Sequence, residues 1–288
     1  MQLLFGAFLS CTASLGYLAA QEAPSPHPGR QPVEIYVTAS DKNSSSVSLN
    51  QPELTVTLDK QPVQVASVRS AKSDKLLFAV LVDASTSNRK QSDSVRAAAN
   101  QFFEGLSAAD NRGYLVFFDQ SVRMSGRPLL PSEAREALAG LKFGGATAVF
   151  DAIAQTCTTV LSKRVNPEPP RRVILLISDG DDNMSHIYLE EAIQLAEKEG
   201  VSIFSLATPT AGNNGERVLS EFSKKTGGQV IINNNMEKGA TDLLAAIDSQ
   251  WVLSLVPPPF SDQNLHSLMV KSSRKDVHLS APEKIVLQ

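Results

Sequence analysis

The sequence predicts an α/β fold: a doubly wound, mostly parallel sheet inserted between β segments that form a small β-sandwich. Three observations carry this expectation. Continuous apolar runs recur at 76–82, 114–118, 173–177, 201–206 and 230–232, as in strands buried on both faces. Helical apolar spacing lies between several of them: Val95, Ala98, Phe102, Phe103 and Leu106; Ile153, Cys157, Val160 and Leu161; Leu189, Ala192, Ile193 and Ala196. Before and after this block the period changes to two. Strand alternating with helix calls for right-handed crossovers, which put the loops after the strands on one edge.

Taken from the start, residues 1–20 carry no charge and end in Leu18-Ala19-Ala20. They read as a secretory signal peptide. A retained membrane anchor is the alternative. Gly6, Ser10, Thr12, Ser14 and Gly16 make the stretch only mildly apolar, so the expectation is export to a periplasm, an envelope or the medium, with no stable membrane span after cleavage. Phe8-Leu9-Ser10 before Cys11 is a poor lipid-attachment signal. Cleavage leaves Cys157 as the sole cysteine and allows no internal disulfide. Residues 21–32, with Pro24, Pro26, Pro28 and Pro32, form a proline-rich linker.

In the segment 33–70, Val33, Ile35 and Val37 alternate with polar neighbours, as do Leu54, Val56 and Leu58. Asp59-Lys60-Gln61 then turns the chain into Val63, Val65 and Val68, which reads as a hairpin. The α/β block spans 74–249 and ends in a helix near 236–249. The segment 250–288 returns to period two at 251–256, 266–270 and 277–279. Neither β segment is long enough to enclose a core alone, so 250–288 is expected to pair with 33–70. Two separate β extensions are the alternative. Trp251 is expected to pack between domains.

The whole-chain numbers bound the function. Of 288 residues, 42% are hydrophobic and 20% charged. That excludes global disorder, a collagen-like repeat and a disulfide-stapled miniprotein. With 27 basic against 30 acidic residues the net charge is −3, which gives no reason to expect nucleic acid.

Chemistry concentrates in three loops. The first apolar strand ends in Asp83-Ala84-Ser85-Thr86-Ser87, another in Ser178-Asp179-Gly180, and Gly144-Gly145-Ala146-Thr147 opens a helix. If the strands are neighbours, these loops meet at the carboxyl edge, where open α/β sheets bind ligands. The donors are two carboxylates and three hydroxyls, a hard-oxygen set that suits Mg2+ or Mn2+. No His or Cys belongs to it, which argues against zinc. Asp181 and Asp182 extend the acidic loop, either for a second cation or as a solvated rim. His186 reads as surface or cap, and His27, His266 and His278 form no cluster. Cys157 reads as a buried, inert thiol. The glycine pair lacks the features of a phosphate loop.

The motif at 83–87, Thr147 after its glycine pair in Thr147-Ala-Val-Phe-Asp-Ala, and Asp179 in Ser-Asp-Gly together resemble the metal-ion-dependent adhesion site of von Willebrand factor type A domains. The resemblance covers about 74–249. The flanks resemble bacterial exported proteins that insert such a domain between β segments, with Asp59-Lys60-Gln61 departing from their Asp-Gly-Lys turn. It implies that Ser85 and Ser87 bind the cation directly and that Thr147 joins when a ligand is engaged. Asp83 and Asp179 would act mainly through bound water. A partner protein's Asp or Glu would complete the coordination. The function so implied is a non-enzymatic protein-binding module. The alternatives are a metal-independent scaffold of an envelope complex, and a phosphatase with an aspartyl nucleophile at Asp83. The phosphatase lacks the second acid two residues on, where Ser85 stands.

Overall fold

Four short strands come first: β1 (Val33–Ser40), β2 (Leu54–Leu58), β3 (Gln61–Val63) and β4 (Val65–Ser70). The structure, a computed structural model, describes residues 32–42, 47–108, 110–162, 171–256, 262 and 264–287. The expected signal peptide, and the proline linker up to residue 31, lie outside the described residues. Among the described residues no helix is long and apolar enough to cross a membrane.

The α/β block follows as β5 (Leu76–Asp83), α1 (Ser92–Leu106), β6 (Arg112–Phe118), β7 (Val122–Met124), α2 (Pro131–Ala139) and α3 (Val149–Thr158). It continues with β8 (Arg171–Ser178), α4 (Leu189–Glu199), β9 (Val201–Ala207), α5 (Asn213–Lys225), β10 (Val230–Ile232) and α6 (Met236–Asp248). Its six strands run in the order β10-β9-β8-β5-β6-β7. All neighbours are parallel except β6 and β7. Every residue of β5 and of β8 is buried, and the alternation of the strand explains why. Leu76, Phe78, Val80 and Val82 face a core shared with α1, α2 and α6. Leu77, Ala79 and Leu81 face a second core shared with α3, α4 and α5. Each such Val, Leu or Phe side chain contributes roughly 1.5–3 kcal/mol. Local signals set several helix ends. Pro131 stands at the first position of α2, Gly200 ends α4 at φ 66°, and the Asn235 side chain caps α6 through Lys238 N–H.

Four elements of the α/β block depart from the sequence expectation. The helix expected to carry Val160 and Leu161 ends at Thr158. Helix α5 and the pair β7–α2 have no counterpart in it. β7 spans three residues, and α5 offers only Val218, Leu219 and Phe222 as large buried apolar side chains.

The chain ends in β11 (Gln250–Leu255), β12 (Leu265–Ser272), β13 (His278–Ser280) and β14 (Lys284–Val286). These pair with the opening strands into two antiparallel sheets, β13-β1-β11-β4 and β14-β12-β2-β3. Both sheets draw on both ends of the chain. Ile35, Val37, Leu253 and Leu255 from one meet Val56, Leu58, Leu268 and Ile285 from the other in a shared core. The expected hairpin holds through Val63, where β3 pairs with β2 across the Asp59–Lys60 turn; after Gln64, β4 crosses instead to β11. Trp251 does not pack between domains. It joins Ala39, Leu49 and Val277 within the flank, and its Nε1–H donates to Val47 O at 3.1 Å.

The flank meets the α/β block through backbone and buried charge. Glu283 N–H donates to Lys225 O at 2.8 Å, and Ser280 Oγ donates to Gly228 O at 2.7 Å. The buried Arg171, at the start of β8, donates Nη1–H to Ala71 O and to Ile247 O, 3.3 Å each. On α4, Glu197 is 4% exposed and accepts a hydrogen bond from Lys284 N–H. Burial pushes its carboxyl up to about 7 from 4.5, against the pull of the Lys284 and Lys225 charges. A carboxyl raised on folding holds its proton longer in the native state, so stability falls as pH rises from about 4.5 to about 7. The Glu197 share of that fall is at most about 3 kcal/mol. Urea unfolding at several pH values checks this: Glu197→Gln is expected to flatten the decline relative to the unsubstituted protein.

Candidate metal centre

Asp83 is the last residue of β5, and Ser178 is the last of the adjacent β8. The neighbouring strand ends bring their side chains together: Ser178 Oγ donates to Asp83 Oδ2 at 2.6 Å. Asp83 Oδ1 accepts Ser85 N–H at 3.0 Å, which curls the chain back. Ser85 Oγ and Ser87 Oγ then lie 3.0 Å apart. Ser87 also hydrogen-bonds the Asp179 carboxylate.

The glycine-pair loop is laced to this turn. Gly144 N–H donates to Ala84 O at 2.7 Å, and Thr86 donates to Gly145 O from both N–H and Oγ1. Thr147 is in turn clasped by the loop after β8. Its N–H donates to Asn183 Oδ1 at 2.9 Å, and its carbonyl accepts Asn183 N–H and Met184 N–H at 3.0 Å each. Each of the three loops is thus bonded to the other two. Asp83, Ser85, Ser87, Thr147 and Asp179 are brought to one sheet edge. The edge is a topological switch point, since the chain leaves β5 toward β6 on one side and returns to β8 on the other.

Burial sets the electrostatics. Asp83 is 0% exposed, Asp179 2%, Ser85 2% and Thr147 4%; only Ser87 is open to solvent. Burial pushes the Asp83 carboxyl up to about 6, although hydrogen bonds from Ser178 and Ser85 pull it down and Asp179 adds to the rise. Asp179 is raised as well, again by burial first. Among the described residues no Lys, Arg or His forms an ion pair with either carboxylate. Two buried acids without a counter-charge, ringed by hydroxyls, fit a hard divalent cation. Among the described residues no cluster of three or more His, Cys, Asp and Glu could hold a metal, so a centre here would depend on hydroxyl donors.

A family model for the von Willebrand factor type A domain matches residues 78–246, more than half of the chain. The chain belongs to the von Willebrand factor type A domain family. Domains of this family commonly mediate protein–protein interaction, often bind a divalent cation at an adhesion site, and are typically not enzymes. Among solved structures, the chain is similar to a von Willebrand factor type A protein from Catenulispora acidiphila. The TM-score is 0.53 at 13% identity, over 91% of this chain and 75% of that one. An aerotolerance-related membrane protein from Bacteroides fragilis gives 0.50 at 14% identity, over 60% of this chain and 98% of that one. Proximal thread matrix protein 1 from the mussel byssus gives 0.51 at 15%, over 74% of this chain and half of its own. These likenesses show the fold. No curated protein matches the chain.

Around this edge the structure adds residues that the sequence did not single out. Ser178 and Asn183 hold Asp83 and Thr147. Asn88, fully buried, accepts Thr210 Oγ1–H at 3.1 Å. Asp182 has a role that neither sequence reading foresaw: Oδ2 accepts Phe150 N–H and Ser185 Oγ–H, so it caps α3 from a separate loop. His186 is exposed and pairs with Asp151 through Nδ1 at 2.7 Å. Cys157 is fully buried, and burial pushes its thiol up, away from reactivity.

Asp179 is also held by a backbone contact. Gly180 lies at φ +77°, and a Cβ on it would meet Gly215 O at 2.3 Å; a Cβ on Gly215 would meet Asp179 O at 1.9 Å. Only two glycines let the first turn of α5 seat against this loop. Gly215→Ala is expected to cost at least about 2 kcal/mol in urea unfolding. Gly126→Ala, where nothing lies within 4 Å, is expected to stay within about 0.5 kcal/mol.

Proposed function

We propose that this protein is an exported, non-enzymatic binding module that engages a partner's Asp or Glu through a divalent cation, Mg2+ or Mn2+. Asp83, Ser85, Ser87, Thr147 and Asp179 would hold the ion. In this reading residues 1–20 are a cleaved signal, and 74–249 form the binding domain, carried by the paired segments 33–70 and 250–288. The observation that carries the reading is the buried pair Asp83 and Asp179, which hydrogen-bond serine hydroxyls and, among the described residues, form no ion pair with a cationic side chain. Bound there, the ion would supply a positive centre for an outside carboxylate.

The rim supports a protein partner. Met184, whose N–H donates to the Thr147 carbonyl, is 47% exposed, and Tyr188 on the same loop is 77% exposed. Large apolar side chains open to water beside a polar centre suit a protein surface. The Asp83 loop disfavours an aspartyl nucleophile. Ser85 stands two residues after Asp83, where such chemistry uses a second acid.

Calorimetry with MgCl2 and MnCl2 tests the centre. Saturable binding is expected for the unsubstituted protein, and its loss in Ser85→Ala and Asp179→Ala. Free ion at about 100 times Kd is expected to raise stability by about 2.7 kcal/mol. Equal heats in protein and variants would sink the metal reading and favour the scaffold. A pull-down from envelope extract, compared between Mg2+ and chelator and repeated with Ser85→Ala, then tests for an ion-dependent partner.

A further inference from the structure

The second flank sheet is closed at one end by a single histidine. His266, near the start of β12, has a side chain only 9% exposed. Its Nδ1 lies 2.7 Å from Asp59 Oδ2, and its Nε2 lies 2.8 Å from Asp262 Oδ1. Asp59 belongs to the β2–β3 turn, where Asp59 and Lys60 take φ of 47° and 69°. Asp262 belongs to the residues that lead into β12. From β14 the register sets Ile285 opposite His266, with Lys284 beside it opposite Ser267; β13 brings the exposed His278. Two carboxylates thus meet the ring, one at each nitrogen.

A neutral imidazole has one N–H to give, and the imidazolium has two. Two carboxylate acceptors, one at each nitrogen, are served together only by the charged ring. The two ties are not equal. Asp59 is anchored independently: its Oδ1 accepts Ser267 N–H at 2.9 Å, and its own N–H donates to Ser267 O at 2.8 Å. Among the described residues, the other hydrogen bonds of Asp262 run to Asn264, through N–H and Nδ2, only two residues along the chain. When the ring loses its proton, the bond that can be given up with least rearrangement is the one to Asp262.

We propose that His266 is a proton-operated latch in the flank: charged, it ties Asp262 to the β2–β3 turn; neutral, it keeps Asp59 and releases Asp262. Consistent with this, the hydrogen bond to Asp59 first, and that to Asp262, raise the His266 pKa above 6.5, while both carboxyls are lowered by their hydrogen bonds. A base raised on folding contributes stability that is complete below about 6.5 and is lost as pH rises through its folded value. Neither an ion nor a partner enters, so the latch stands or falls apart from the proposed binding function.

Solution NMR on the labelled full chain, titrated from about pH 5 to about pH 9, tests it. His266 is expected to titrate above its ordinary value. With the same midpoint, the exchange protection of Asn264 N–H is expected to fall about tenfold while that of Ser267 N–H holds. Asp262→Asn is expected to lower the midpoint, and His266→Gln to remove the pH step at Asn264. Fluorescence of the single Trp251 reports whether each variant keeps its flank. Titration of His266 at or below the ordinary value overturns the latch. So does a joint response of Asn264 and Ser267, or a step that persists in His266→Gln.

Discussion

Two carboxylates sealed at the end of β5 and β8, with no positive side chain among the described residues paired to them, impose their order on everything around the carboxyl edge. A buried, unpaired carboxylate is among the costliest groups a fold can hold. Here the cost is met in part by hydrogen bonds: Asp83 takes Ser85 N–H and Ser178 Oγ–H, and Asp179 takes Ser87 and Asp181 N–H. The donors come from two loops, and a third closes the ring through Gly144, Gly145 and Thr147. The geometry of the edge is thus overdetermined by bonds between loops rather than by any one loop alone. That is the condition for donors to be held in place before a ligand arrives.

The flank is built on the opposite logic, with its order set by pairing. Strands from the two chain ends interleave in both sheets, so the α/β block lies within an otherwise continuous antiparallel pattern. Its attachments gather at the other edge of the central sheet. Arg171 begins β8, and Ala71 precedes β5. Each of these strands has eight residues, so about 26 Å separates the attachment from the carboxyl edge. These attachments, among the described residues, lie at the opposite edge from Asp83 and Asp179.

The sequence was most legible where one physical rule acts alone. Continuous apolar runs announced β5, β8 and β9 because burial on both faces leaves no polar positions. Asp83, Ser85 and Ser87 were legible because local turn chemistry and a strand end coincide. What escaped depended on partners far along the chain. Ser178 reaches Asp83 across 95 residues, and Asn183 reaches Thr147 across 36. Asp182 looked like a rim acid because nothing in its own loop reveals the N-terminus of α3. Helix α5 hid behind its polar face and Asn213-Asn214-Gly215, which reads locally as a turn, although the Gly215 contact with Asp179 is what the site needs from it. The hairpin's end at Gln64 was not legible because the alternation runs on from Val63 to Val65 while the chain changes sheets.

The balance of donor types bears directly on what such an edge can do. Had Ser85 and Ser87 been acids, four carboxylates would surround an ion of charge two, and the site would satisfy the ion by itself. With two carboxylates and neutral hydroxyls, the protein would match the charge of a divalent ion without exceeding it. Hydroxyl oxygens donate less electron density than carboxylates, so the ion would keep an appetite for one more anionic oxygen. Ser87, the one exposed donor of the five, marks the side from which that oxygen would come. The substitution of hydroxyl for carboxyl at two positions is what separates a self-contained metal cage from an edge that can hold a second molecule.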